Sequence, residues 1–291
     1  MNENSINIKL HNILKIGDDY PPIIMGVLNL SPESFYKGSV YEGEINLKQA
    51  ALDMVKNGAK MLDLGARSTA PWSRKITIEE ELDRIIPAMN VICKSVSEDI
   101  IISVDTQYSE VAIQTFDIAK KYKRKIIIND VSCFKTDPTL KDLLIDYDLP
   151  VIIMASKKIA GDLCTIPEII SELRNTISKM KERGYNKNNI IIDPGIGHWI
   201  ERKTHIYDLK IIGNLSELRV LKKPVLVAIS RKSFIGTTLN IPEPENRLNG
   251  TLAATAIAVF NGAHIVRTHD VDQQLLEILK MAEQLRKKSL E

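Results

Sequence analysis

Eight short runs of β-branched and apolar residues, spread along nearly the whole chain, constrain its fold more than any other feature. They are Ile23–Leu30, Met61–Ala66, Ile100–Thr106, Lys125–Asp130, Val151–Ser156, Ile190–Gly195, Val225–Ser230 and Ile265–Asp270. Their apolar residues are continuous instead of alternating with polar ones, which marks strands of a parallel sheet covered on both faces. Each run is followed by a segment of amphipathic helical spacing; Leu47–Asn57, Ile78–Lys94, Ser109–Lys121, Ile166–Arg183 and Gln273–Arg286 are examples. Gly58, Gly184 and Gly262 stand just past the last periodic residue of a helix, where a glycine stop belongs. Eight such βα units within 291 residues fit an α/β fold of the (β/α)8 TIM barrel type, as a single domain. A doubly wound open sheet is the alternative, because element order alone does not count closure. No linker, low-complexity tract or composition shift divides the chain. Residues 23–291 therefore read as the barrel, and residues 1–22 as an N-terminal extension or hairpin.

In such a barrel the C-terminal strand ends form the active face. Here the ends read Asn29, Asp63, Asp105-Thr106, Asn129-Asp130, Met154, Asp193, Ser230-Arg231-Lys232, and then Arg267, His269 and Asp270. One Asp or Asn at such a place is explained by capping of the next helix. Converging ends of this kind are not, and Lys and Arg are poor caps, so Lys232 and Arg267 weigh most. The ring describes a pocket. Asp105, Asp193 and Asn129 suit a flat heterocycle rich in N–H donors, since carboxylates accept paired hydrogen bonds. Lys232 can point a charge at a ring carbonyl. Arg267 and His269, two residues apart on one strand, share a face and suit an anion. The oxygen of Asn29 can help hold a hard cation such as Mg2+.

Composition narrows what enters that pocket. The 39 Lys and Arg nearly cancel the 37 Asp and Glu, leaving a net charge of +2, which argues against a nucleic-acid surface. Cys93, Cys133 and Cys164 are odd in number and lack CxxC spacing, so neither a disulfide framework nor a thiolate zinc site is expected. The reducing cytoplasm is the expected home. Met1–Tyr20 carries early acids and no apolar core of a signal peptide. Thr251–Val266, interrupted by Asn261-Gly262, is too short to span a membrane. Small molecules are the expected partners, with no nucleic acid and no membrane.

Several stretches resemble the dihydropteroate synthases: "IMGVLNLSPESF" (Ile24–Phe35), the partial "STAP" (Ser68–Pro71), "ISVDT" (Ile102–Thr106), "INDVS" (Ile128–Ser132), "DPGIG" (Asp193–Gly197), "SRKSFIG" (Ser230–Gly236) and "GTLAATAIAVFNGAHIVRTHDV" (Gly250–Val271). They occur in the family's order and run from about Ile23 to the C-terminal helix. The resemblance implies the same eight-stranded barrel and a reaction. In it, (7,8-dihydropterin-6-yl)methyl diphosphate joins the amine of 4-aminobenzoate and releases diphosphate with Mg2+. Carried over, Asp105, Asn129, Asp193 and Lys232 are pterin readers and Met154 a wall of their pocket. Asn29, Arg267 and His269 belong to the diphosphate site, with Asn29 near the metal. Thr69 and Ser230 contact the diphosphate or the arylamine. Asp105, Lys232, Arg267 and His269 are the implied catalytic set. Family members commonly pair as homodimers, here through the alanine-rich helix Leu252–Phe260 and the final helix.

The two loops after the first strands depart from the family pattern. Ser34-Phe35-Tyr36-Lys37-Gly38-Ser39 stands for S-F-x-D-G-G, and Ala66-Arg67-Ser68-Thr69-Ala70-Pro71-Trp72 for G-E-S-T-R-P-G. The family's Met-His after the fifth strand is Met154-Ala155, and "HWIERKT" (His198–Thr204) is longer than F-G-K-T. Two readings follow. In one the loops have drifted, with Arg67 compensating for Ala70. In the other the acceptor is a larger anionic arylamine, such as the ribosylated aminobenzene phosphate of methanopterin synthesis, which Lys37, Arg67, Lys203 and Trp72 would suit. Two other classes remain as alternatives: a methyltetrahydropterin:corrinoid methyltransferase, and a non-catalytic pterin-binding protein.

Overall fold

The runs do become strands, and their pleat decides which side chains reach the site. The computed structural model describes residues 5–32, 36, 38, 40–41, 43–68, 73–198 and 200–289. After a hairpin of β1 (Asn7–Leu10) and β2 (Leu14–Gly17), the strands are β3 (Ile23–Asn29), β4 (Met61–Gly65), β5 (Ile101–Asp105) and β6 (Ile126–Asp130). They continue as β7 (Val151–Met154), β8 (Ile190–Asp193), β9 (Leu226–Ala228) and β10 (Ile265–Thr268). The helices are α1 (Glu44–Lys56), α2 (Ile78–Ser95), α3 (Ser109–Lys121), α4 (Thr139–Asp146), α5 (Ile166–Glu182), α6 (His205–Gly213), α7 (Ser233–Leu239), α8 (Leu248–Phe260) and α9 (Gln273–Ser289). The parallel order β8-β7-β6-β5-β4-β3-β10-β9 is joined end to end by a bridge between Ile192 and Val225. The Ile192 N–H also donates to Pro224 O at 3.0 Å. That junction makes the sheet a barrel and sets aside the open doubly wound alternative.

Successive strand residues face opposite sides, so each apolar run feeds two cores. Outward residues such as Leu62, Leu64, Ile102, Val104, Ile128 and Ile192 pack under the helices. Inward residues such as Met25, Met61, Ile101, Ile127, Ile152 and Ile265 fill the lower barrel. Each full burial of this kind stabilises by roughly 1.5–3 kcal/mol. Continuing upward on the inward face, the chemistry changes to Asp63, Ser103, Asp105, Asn129, Asp193 and Arg267. The site is thus the top of the interior core.

The hairpin plugs the bottom. Ile8, Leu10 and Ile16 join the interior cluster. The Asp18 carboxylate accepts from Ile6 N (2.7 Å), from both Arg219 Nη atoms (2.8 and 2.9 Å) and from His264 Nε2 (3.3 Å). His264 Nδ1 accepts the Val225 N–H at 3.0 Å, which assigns the ring proton to Nε2. The helix-ending glycines have φ of +104° (Gly58), +83° (Gly184) and +108° (Gly262). Several boundaries differ from the sequence reading. Helix α8 begins at Leu248, four residues before Leu252. Strands β9 and β10 stop at Ala228 and Thr268, and beyond β9 the chain turns at Arg231, whose φ is +55°. Ser230 and His269 therefore stand just beyond the strand ends.

Candidate active site

The floor of the site is an ion cluster built by neighbouring strands. Arg267 of β10 donates from Nε to Asp63 Oδ2 at 2.6 Å and from Nη2 to Asp105 Oδ2 at 2.9 Å. Asn129 Nδ2 faces the same Asp63 carboxylate at 3.4 and 3.5 Å. Register explains the grouping: Asp63 and Ser103 are cross-strand partners, as are Asp105 and Asn129. Burial, and then the Asp63 charge, push Asp105 up to about 7, against the pull of Arg267. Asn129 Oδ1 and Ser103 Oγ are buried and meet no partner among the described residues. A buried acceptor without a donor is costly, so Asn129 Oδ1 marks a place where a ligand's N–H belongs.

The opposite wall comes from β8 and the turn after β9. Asp193 accepts the Gly195 N–H at 2.7 Å, and Lys232 Nζ donates to Ile196 O at 2.5 Å. Burial holds Asp193 above the ordinary carboxylate range, with Lys232 opposing. Burial also pushes Lys232 down to about 8, with Asp193 opposing. The Asp193–Gly197 loop lies so close that a Cβ on Gly197 would stand 2.5 Å from Lys232 Cδ and 3.1 Å from Phe234 Cδ1. Met154 is buried at the end of β7 beside Asp193, its register partner, as a wall residue should be.

The rim carries His269. Its Nδ1 lies 2.9 Å from Ser230 Oγ, and its backbone N–H donates to the same oxygen at 3.3 Å. Burial and then the Arg267, Arg231 and Lys232 cations push His269 down to about 3. Tyr36 meets the His269 ring edge-on at a centroid distance of 5.2 Å and lies 4.6 Å from the Arg231 guanidinium. Arg231 in turn grips Asp270 through Nε and Nη2, both at 2.8 Å. Asn29, the last residue of β3, pairs in register with Gly65, and Gly65 with Asp105.

Geometry thus gathers Asp105, Asn129, Asp193, Lys232, Met154, Arg267, Asn29, Ser230 and His269 around one mouth. Thr69 lies outside the described residues, as do Lys37 and Trp72. Two cations sit differently from their expectation. Arg67 is held by Glu81 Oε2 (2.6 Å), Ile76 O (2.6 Å) and Thr77 O (3.1 Å), with Tyr108 beneath it at 4.8 Å. Lys203 is buried beneath the glycine loop, donating to Gly195 O (2.5 Å) and Gly161 O (3.3 Å), with Asp208 3.4 Å away. Both are drawn inward because a buried carboxylate and turn carbonyls need donors more than solvent does. Asp63 was visible as a strand end but had no assigned role; the structure makes it the partner of Arg267. Tyr36 carried no sequence signal beyond occupying the family's variable position.

Two carboxylates and an amide facing a buried ammonium can read a planar heterocycle. The Arg267 guanidinium of the floor and the His269 imidazole of the rim can hold an anion beside it. Comparison with known proteins gives the family. The profile of the pterin binding enzyme family matches residues 25–269. The dihydropteroate synthase of Bacillus subtilis (strain 168) is 34% identical over 259 residues, covering 89% of this chain and 87% of that protein. The structure of a dihydropteroate synthase from Coxiella burnetii in complex with pteroic acid superposes with a TM-score of 0.83 at 31% identity, covering 98% of this chain and 100% of that one. The Xanthomonas albilineans enzyme with 4-aminobenzoic acid gives a TM-score of 0.80 at 28% identity, covering 97% and 98%. On its barrel, its site and this likeness along nearly its full length, the chain belongs to the pterin binding enzyme family, among the dihydropteroate synthases.

Proposed function

We propose that this chain transfers the (7,8-dihydropterin-6-yl)methyl group from its diphosphate to the amine of 4-aminobenzoate, releasing diphosphate. The observation that carries the reading is the unpartnered Asn129 Oδ1 in a pocket with Asp105, Asp193 and Lys232, beside Arg267 and His269. The carboxylates accept the N–H groups of the pterin, and Lys232 donates to its carbonyl. The C–O bond between the exocyclic methylene and diphosphate breaks, and the electron pair leaves with the oxygen. Arg267 stabilises that oxyanion, while the Asp105 carboxylate stabilises the cationic pterin left behind. The arylamine nitrogen then bonds to the methylene and gives up a proton. No protein nucleophile is needed, which leaves buried Cys133 a packing residue hydrogen-bonded at 3.3 Å to Thr176.

Mg2+ fits the donor set as a cation that arrives with substrate. Among the described residues no cluster of three or more His, Cys, Asp or Glu could cage an ion, and Mg2+ takes few protein ligands while keeping waters and phosphate oxygens. Asn29 would supply an amide oxygen, and the bound ion would offset charge on the diphosphate. Plain 4-aminobenzoate is favoured as acceptor because Arg67 and Lys203, which a phosphorylated arylamine would need, are already engaged by protein groups. A homodimer through α8 and α9 is supported by exposed apolar side chains on both, Ile257 and Phe260 on α8 (51% and 42% exposed) and Met281 and Leu285 on α9 (64% and 55%).

The test is diphosphate release from the dihydropterin-methyl diphosphate with Mg2+, offering 4-aminobenzoate and its ribosyl phosphate derivative separately. Turnover with 4-aminobenzoate is expected. Tight pterin binding without turnover would overturn the transferase reading, and preference for the phosphorylated acceptor would overturn the choice of acceptor.

A further inference from the structure

Lys203 and Asp208 form a buried ion pair beneath the loop that follows β8, and the chemistry above gives neither a role. Their side chains are 0% and 3% exposed. Three consecutive residues of that loop, Gly195, Ile196 and Gly197, have backbone groups taken by four charged side chains. On the pocket side, Asp193 accepts the Gly195 N–H and Lys232 donates to Ile196 O. On the underside, Lys203 Nζ donates to Gly195 O at 2.5 Å, and Asp208 Oδ1 accepts the Gly197 N–H at 2.8 Å. The same Asp208 oxygen lies 3.4 Å from Lys203 Nζ. Lys203 also donates to Gly161 O at 3.3 Å, so one ammonium joins the loop after β8 to the loop after β7. That second loop is closed by Asp162, whose carboxylate accepts from Lys157 N at 2.7 Å and Lys158 N at 3.0 Å. The two loops touch: a Cβ on Gly195 would stand 3.3 Å from Gly161 Cα. A buried ion pair gains little over apolar side chains of similar volume. What this one supplies is direction, because each of its charges holds a peptide group of the loop.

We propose that Lys203 and Asp208 are positioning residues for the pterin: together they fix the Gly195–Gly197 peptides against which Lys232 and Asp193 are aimed. This rests on the transferase reading above. An ammonium has three N–H donors. The bond from Lys232 to Ile196 O holds one of them and orients the other two, so a shift of the Ile196 carbonyl carries Lys232 with it. The pair also acts on the charge of Lys232. That ammonium faces Asp193 of β8, Arg267 of β10, Asp208 of α6 and Lys203. His198 and His269 face it too, and burial first, then neighbouring cations, push both imidazoles below their ordinary range. Burial pushes Lys232 down to about 8; Asp193 and Asp208 oppose that shift, whereas Arg267 and Lys203 add to it. Removing the Lys203 charge therefore raises the Lys232 midpoint, and removing the Asp208 charge lowers it.

The experiment titrates 6-hydroxymethyl-7,8-dihydropterin into the protein by calorimetry, from about pH 7 to pH 9.5. Lys203→Met keeps the side chain's length and removes its donor and charge. Asp208→Asn keeps an acceptor for the Gly197 N–H and removes its charge. The double variant Lys203→Met/Asp208→Asn removes both charges together and leaves no buried ion unpaired should a single variant fail to fold. Each variant should bind the pterin about tenfold more weakly at pH 7.5, the scale of one misdirected hydrogen bond to a charged group. Donation to the pterin carbonyl takes the Lys232 ammonium, so affinity falls above its midpoint, by about tenfold per pH unit. That fall should begin at higher pH in Lys203→Met and at lower pH in Asp208→Asn, with the double variant between them. Wild-type affinity in the variants would overturn the proposal. Weakened binding with one unmoved midpoint in both single variants would overturn it too, because damage to the fold alone gives that result. If only the double variant folds, its affinity decides, and binding as tight as the wild type refutes the role. Absence of pterin binding by the wild-type protein would overturn the transferase reading itself, and the proposal with it.

Discussion

Replacing Asp63 by Asn separates the two jobs of the ion cluster. The variant keeps the shape and an oxygen for Arg267 Nε but removes one of the two negative charges around the guanidinium. The 2.6 Å contact loses one of its two charges but keeps its cationic donor, so it remains a charge-assisted hydrogen bond. Its contribution should fall by about 1 kcal/mol, within the roughly 1.5–3 kcal/mol spread of bonds to charged groups. Arg267 retains Asp105 at 2.9 Å, so the roughly 3–5 kcal/mol cost of orphaning a buried charge is not incurred. The larger effect falls on Asp105. It sits up to about 7 partly because Asp63 repels its ionised form. Without that neighbour its midpoint should drop by roughly 1–3 pH units. The sign for binding follows. Reading pterin N–H groups takes the carboxylate, so affinity is flat above the midpoint and falls about tenfold per pH unit below it. Wild-type protein should therefore lose about fivefold in pterin affinity between pH 7 and pH 6, while Asp63→Asn nearly holds its affinity across that interval. Calorimetric titration from pH 5.5 to 8, with denaturant unfolding alongside, reads both effects. An identical pH midpoint in the two proteins would refute the repulsion argument.

Other consequences are as direct. Gly197 has φ of +72°, and a Cβ there meets Lys232 at 2.5 Å. Gly197→Ala should cost roughly 1–2 kcal/mol in backbone strain and about 1–3 kcal/mol in overpacking, and weaken pterin binding by displacing Lys232; wild-type melting and affinity would contradict this. His269, pushed down to about 3, should carry no charge between pH 5 and 8, so its ring nitrogens should show no titration there by NMR. A midpoint near the ordinary imidazole value would mean that the rim is wetter than its packing indicates.

The barrel was legible because strands covered on both faces leave an unmistakable signal, continuous β-branched runs. The pocket was legible because strand ends that only cap helices do not include Lys or Arg. Partnerships across the barrel were not. Arg267 and Asp63 are 204 positions apart, and they meet only because β10 and β4 flank β3 on its two sides. The destinations of Arg67 and Lys203 were hidden for a different reason. A cation's partners depend on which carbonyls a turn leaves exposed, and residue type is silent on that. The hairpin at residues 7–17 was anticipated as a shape, while its anchor at Asp18 depends on Arg219 and His264 from distant segments.

Closure also has a consequence in time. The first and last strands of the ring in sequence, β3 and β10, pair with each other, with Ile23 opposite Ile265 and Gly26 opposite Thr268. During synthesis, β3 leaves the ribosome some 240 residues before its partner exists. Until then its backbone donors and acceptors form an open edge, the template on which chains pair wrongly. Asp63 and Asp105 meanwhile lack their shared guanidinium. Contacts this distant in sequence are slow to form, so a nascent chain of this protein must wait with its site unassembled. A chain that stops before Ile265 can make seven strands, but it has neither the β3–β10 pairing nor the guanidinium that Asp63 and Asp105 share.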